Sequence, residues 1–166
     1  MFIQVMSRVS AVEYSCRSHD EASAVISISD YDKNSPTLEN NPGNGIVAHL
    51  KLKFDDVERG EANCITERDA LKIVSFVRGY AIVSNKLIVH CEAGVSRSAG
   101  TAAAIMKAIN GSDWDIFDNP RYVPNMTCYR MVLDAFYTNG QDILRKLAVD
   151  ENSFASDNPL DIDFNG

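Results

Sequence analysis

The sequence predicts an α/β protein with a central mixed, mostly parallel sheet flanked by helices. Three observations carry that reading. Short β-branched segments alternate with helix-period segments along the 166 residues, the pattern of a layered α/β architecture. One of them, Leu87-Ile88-Val89, is a continuous apolar run, as expected for a central strand covered on both faces. That run leads straight into a Gly-containing loop and then a small-residue-rich helix, the outline of an anion cradle.

Phe2-Ile3-Gln4-Val5-Met6 reads as the first strand and Ala24 to Ser29 as the second, which stops at Asp30. Asp32 to Gly45 holds Pro36, Pro42, Gly43 and several Asn, so it reads as a loop. Ile46 to Phe54 forms the third strand and ends in Asp55-Asp56. Thr66 is a helix N-cap with Glu67 and Asp69 in the first turn, where the helix dipole favours acids. Ala70, Ile73, Val74 and Val77 then place apolar groups on one helical face. After the loop at 91–98, Ala99 to Asn110 reads as a helix closed by Gly111. Ser112 to Pro124 is a turn-rich connector, and Asn125 to Tyr137 is a further helix with Asn125 as its cap.

A net charge of -7 argues against wrapping nucleic acid or lying on an anionic membrane, since both need clustered Lys and Arg. Five of those seven charges fall beyond Lys146, which marks residues 148–166 as an acidic tail outside the folded unit. Cys16, Cys64, Cys91 and Cys128 form no CxxC pair, so neither a disulfide framework nor a zinc site is suggested. His19 and His49 lie in no ligand-like spacing; no metal and no cofactor is expected. No secretory signal and no run near the ~20 apolar residues of a spanning helix is visible, so the expected compartment is the reducing cytoplasm.

Chemistry concentrates in His90-Cys91-Glu92-Ala93-Gly94-Val95-Ser96-Arg97-Ser98. Backbone N–H groups from Glu92 to Arg97 can converge on one anion, and a cysteine facing them is stabilised as thiolate. Arginine adds a rigid fork for two phosphate oxygens and stays charged at any working pH. The stretch resembles the active-site signature His-Cys-x5-Arg-Ser/Thr of the cysteine-dependent protein tyrosine phosphatases. Ala93-Gly94-x-Ser96-Arg97-Ser98 is most similar to the dual-specificity branch. Five fixed identities at about 5% each would coincide roughly once in several million positions.

The resemblance extends loosely over residues 1–140 and implies a catalytic domain at 1–147. It implies Cys91 as nucleophile through a phosphocysteine intermediate, and Arg97 as the clamp on the phosphoryl oxygens. The amides of Glu92, Ala93, Gly94, Val95, Ser96 and Arg97 would bind the phosphate. Ser98 would assist the sulfur as leaving group, and His90 would orient the loop. A general acid is expected after the preceding strand. The family's hydrophobic-any-hydrophobic-any-Asp pattern selects Asp56 in Leu52-Lys53-Phe54-Asp55-Asp56, with Asp55 the adjacent alternative.

Glu92 and Val95 stand where lipid-directed relatives carry lysines, which favours a phosphoprotein over a phosphoinositide. The expected activity is hydrolysis of phosphotyrosine together with phosphoserine/threonine esters. A tyrosine-specific small phosphatase and a phospho-residue binding module without turnover are the alternatives. Sulfur transfer of the rhodanese kind lacks this loop pattern and its upstream acid.

Overall fold

In the computed structural model, which describes residues 1–38, 43–80, 83–138 and the backbone of 162–164, five segments pair into one sheet. They are β1 (Phe2–Ser7), β2 (Ser23–Ser29), β3 (Ile46–Lys53), β4 (Lys86–Cys91) and β5 (Ile162–Phe164). The order is β1-β4-β2-β3-β5. The first four run parallel, and β5 pairs antiparallel with β3. The sheet is therefore mixed and mostly parallel, as the alternating pattern predicts. The rest of the expected acidic tail at 148–166, the end of the expected catalytic unit at 139–147, and positions 39–42 of the Asp32–Gly45 loop lie outside the described residues.

β2 is central, and all seven of its residues are buried. Alternation sends Ala24, Ile26 and Ile28 to one face, with Ile3, Val5, Leu50, Leu52, Leu87 and Val89 from the neighbouring strands. Three helices cover that face: α2 (Glu67–Tyr80), α3 (Arg97–Asn110) and α5 (Met126–Tyr137). The opposite face is smaller. Met6, Val25, Ile46 and Ile88 pack there with Ala11 of α1, a helix spanning Arg8–Ser15.

The sequence reading leaves α1 unassigned. Its buried residues are only Ala11 and Ser15, so no long apolar face announces it. Two contacts hold its start: the Ser7 hydroxyl accepts from the Ser10 N–H, and Arg8 N–H donates to the Glu92 carbonyl. The connector at 112–124 likewise contains one short helix, α4 (Trp114–Phe117).

The expected helix ends are present. Thr66 and Asp69 cap α2 reciprocally: Thr66 Oγ1 accepts from the Asp69 N–H, and the Asp69 carboxylate accepts from the Thr66 N–H. Asn125 Oδ1 accepts from the Cys128 N–H at the head of α5. α3 begins at Arg97, two positions before the expected Ala99, because the anion-cradle loop runs into its first turn.

α3 and α5 approach closely at Gly100. A Cβ there would lie 2.3 Å from the Asn125 carbonyl oxygen. Gly100→Ala is expected to lower unfolding free energy by about 1–3 kcal/mol, the usual cost of forcing a methyl into a packed contact. Chemical denaturation of wild type and variant measures it.

Candidate active site

β4 ends at Cys91, the loop turns through 92–96, and α3 starts at Arg97. The turn requires Gly94. Its φ is +72°, and a Cβ would stand 2.5 Å from the Met6 carbonyl oxygen of β1. The loop is thereby pressed against the end of β1 and curls around the Cys91 sulfur.

Cys91 is 3% exposed. Burial alone would push its thiol up, but the Ser98 hydroxyl, 3.1 Å from Sγ, and the N–H groups of Ser98, Gly94 and Val95 outweigh it. The net shift is downward, toward thiolate. Cys128 shows the opposite outcome in the same core. It is 1% exposed, and burial pushes its thiol up, reinforced by the Asp56 carboxylate. Donors, not burial, make one of these two cysteines acidic.

Arg97 is buried beside it. Nη2 lies 2.6 Å from Asp30 Oδ1, Nη1 donates to the Phe54 carbonyl at 2.8 Å, and Nε has no partner. The sequence reading assigns Asp30 no role. Its one signal is its place at the end of β2, level with the end of β4. Asp30 also pairs with Lys33 at 2.6 Å. The Lys33 ammonium, opposed by partial burial and joined by Arg97, holds the Asp30 carboxyl below its ordinary value.

The adjacent acids separate by their partners. Asp56 Oδ1 accepts from Ser96 Oγ at 2.9 Å and from Asn125 Nδ2 at 2.8 Å, so this carboxylate is tied to the loop. Both bonds fall on the one oxygen. Asp55 instead accepts from the Tyr31 N–H at 2.9 Å and from Asn63 Nδ2 at 3.1 Å. Asn125 therefore does more than cap α5: it also donates to the Val57 carbonyl and holds the 56–57 turn. Glu92 and Ala93 are exposed at the rim, where Glu92 pairs with Arg8 at 3.4 Å.

His90 is 1% exposed, and its Nδ1 lies 3.3 Å from the Cys91 carbonyl oxygen. Burial, with Arg8 adding to it, depresses its pKa from 6.5 to about 4 against the contrary pull of the Cys91 carbonyl and Glu92. Between those two values the unfolded chain binds the proton and the folded one does not. Stability from this group is complete above pH 6.5 and lost as pH falls to about 4. The full swing is about 3 kcal/mol. Melting curves across this window should fall more steeply for wild type than for His90→Asn, whose amide keeps the donor without the titration.

The other cysteines, Cys16 and Cys64, are free. Among the described residues, no group of three or more His, Cys, Asp or Glu side chains could hold a metal ion, and no helix is long and apolar enough to cross a membrane. No family model and no curated protein matches the chain. Solved structures do. Human DUSP28 aligns over 89% of this chain and 94% of its own, at 15% identity and a TM-score of 0.55. DUSP15 aligns over 77% and 78%, at 19% identity and a TM-score of 0.51. Tk-PTP in its active form aligns over 82% and 91%, at 16% identity and a TM-score of 0.51. The chain has the fold of the cysteine-dependent protein tyrosine phosphatases, dual-specificity members among them.

Proposed function

We propose that the chain is a cysteine-dependent phosphoric monoester hydrolase acting on phosphoproteins, on phosphotyrosine together with phosphoserine/threonine. The observation that carries it is the pairing of a thiol lowered by four donors with a buried guanidinium whose Nε has no partner. A buried unpartnered donor is uncommon and calls for a ligand, and a phosphoryl oxygen supplies the acceptor.

In the proposed reaction the Cys91 thiolate attacks phosphorus while the P–O bond to the substrate breaks. Arg97 and the amides of residues 92–97 hold the equatorial oxygens, the kind of preorganised donors that usually form the largest catalytic term. Asp56 gives its proton to the departing oxygen. In the second step the resulting carboxylate takes a proton from water, whose oxygen attacks phosphorus. The P–S bond breaks, and the Ser98 hydroxyl stabilises the returning thiolate.

The charge around the loop supports a monoester over a polyphosphorylated lipid head. Each cation described at its rim has an acidic partner: Arg8 with Glu92, Lys33 and Arg97 with Asp30. Three cations against two carboxylates leave one net positive charge, a match for a single phosphoryl group rather than for several. Residues 1–147 are the proposed catalytic unit, with 148–166 as an acidic tail of which Ile162–Phe164 pairs back onto β3 instead of lying outside the folded unit. A reducing, cytoplasmic compartment suits a reactive thiolate and free cysteines.

Purified wild-type protein is expected to hydrolyse an aryl phosphate with a bell-shaped pH profile, rising as Cys91 ionises below the ordinary thiol value of about 8.5 and falling where the general acid no longer holds the proton it must give. Absence of hydrolysis across pH 5–8 would sink the proposal. Cys91→Ser should abolish turnover and retain phosphate binding. Asp56→Asn should slow alkyl phosphates by about 10²–10⁴ and activated aryl phosphates far less. Asp55→Asn should keep turnover of both ester classes and lower the melting temperature instead. Steady-state rates on phosphoserine and nitrophenyl phosphate distinguish the two acids.

A further inference from the structure

On the sheet face under α1, buried polar side chains from three adjacent strands form one chain. Ser27 Oγ of β2 lies 2.6 Å from His49 Nε2 of β3 and in hydrogen-bond contact with His90 Nε2 of β4. His90 Nδ1 meets the Cys91 carbonyl. Ser27 is 0%, His90 1% and His49 5% exposed, so bulk water does not substitute for any of these bonds.

The proton inventory admits one assignment. A carbonyl oxygen only accepts, so His90 Nδ1 carries a hydrogen. Burial keeps His90 neutral down to about pH 4, so its Nε2 carries none and accepts. The Ser27 hydroxyl therefore donates to His90, and Ser27 Oγ is left to accept from His49. His49 Nε2 must then carry a hydrogen.

This direction matters at Cys91. In a trans peptide the C=O and the following N–H point opposite ways. Holding the Cys91 carbonyl on His90 therefore turns the Glu92 N–H away from the ring and fixes the plane of that peptide. We propose that His49 is a positioning residue for the reaction at Cys91: through Ser27 it locks His90 in the Nδ1–H tautomer and so fixes the first peptide of the phosphate loop. The proposal rests on the reading of Cys91 as nucleophile. The charged groups near the ring are Arg8 and Glu92, and Arg97 adjoins the loop; none of them donates to Ser27.

Imidazole ¹⁵N shifts read the tautomers without any turnover. Wild type should show His90 as the Nδ1–H form and His49 with a hydrogen on Nε2. His49→Leu, or the smaller change Ser27→Ala where that variant folds poorly, should blur the His90 tautomer. Either should raise the midpoint of Cys91 alkylation, followed by mass spectrometry at that peptide, by about 0.4–1 pH unit, the size of one lost hydrogen bond. Aryl phosphate turnover should fall about 3–10-fold in kcat with KM nearly unchanged. His49→Gln, which keeps an N–H donor, should restore the alkylation midpoint. An Nε2–H form of His90 in wild type, or a Cys91 midpoint untouched by both His49→Leu and Ser27→Ala, overturns the proposal. A wild type with the expected tautomers but no turnover overturns the phosphatase reading alone.

Discussion

The constraint on which this molecule depends is a turn that aims several backbone N–H groups at one sulfur. A thiolate at 3% exposure is an unfavourable object, because an ion removed from water loses far more solvation than any single contact returns. Four donors offset that loss at Cys91: the Ser98 hydroxyl and the N–H groups of Ser98, Gly94 and Val95. Nothing equivalent surrounds Cys128, and its thiol moves the other way. The curl of the loop needs Gly94 in a left-handed conformation against Met6 and Ser7. Its exit into α3 needs that helix seated against Asn125, where only a glycine fits. Packing of the whole α3 face thus holds a geometry that matters at one atom.

The parallel sheet explains why the remaining parts arrive at the same place. In an open α/β sheet the crevice beyond the carboxyl ends of the strands is where ligands gather. Here those ends deliver Arg8 after β1, Asp30 after β2, Phe54 to Asp56 after β3 and Cys91 at the end of β4. β4 lies between β1 and β2, so its loop has neighbours on both sides. From one side comes the Met6–Ser7 backbone, from the other the Asp30 carboxylate and, across β2, the Phe54 carbonyl that fix Arg97.

What was legible in the sequence follows the same division. The loop from His90 to Ser98 is contiguous, so its residues and their spacing could be read directly, and so could the strand before and the helix after. The Asp55–Asp56 choice was legible only as a pattern. What separates the two in space is a partnership with Ser96 and Asn125, forty and sixty-nine positions away. Asp30 carries no sequence signal for the same reason: its partner, Arg97, is distant in sequence and adjacent only once β2 and β4 pair. α1 is not legible because a short helix with two buried residues is stabilised by tertiary contact rather than by its own periodicity. His49 lies in no ligand-like spacing in the sequence, and its bond to Ser27 exists only across the sheet.

The electrostatics of the site are local, and the overall charge of -7 bears little on them. Arg97 is buried and meets Asp30 at 2.6 Å, so much of its monopole is compensated before any ligand arrives. A phosphate dianion in the loop would therefore feel chiefly oriented dipoles: the loop amides, the first turn of α3 and the Arg97 N–H groups. Dipoles fall off faster with distance than a bare charge does, so such a site attracts weakly from afar and discriminates strongly at contact. Shape and donor placement then decide what is held. That is why the peptide planes of the loop, and the buried His49–Ser27–His90 chain beneath the first of them, weigh as much in the proposed chemistry as the charged residues do.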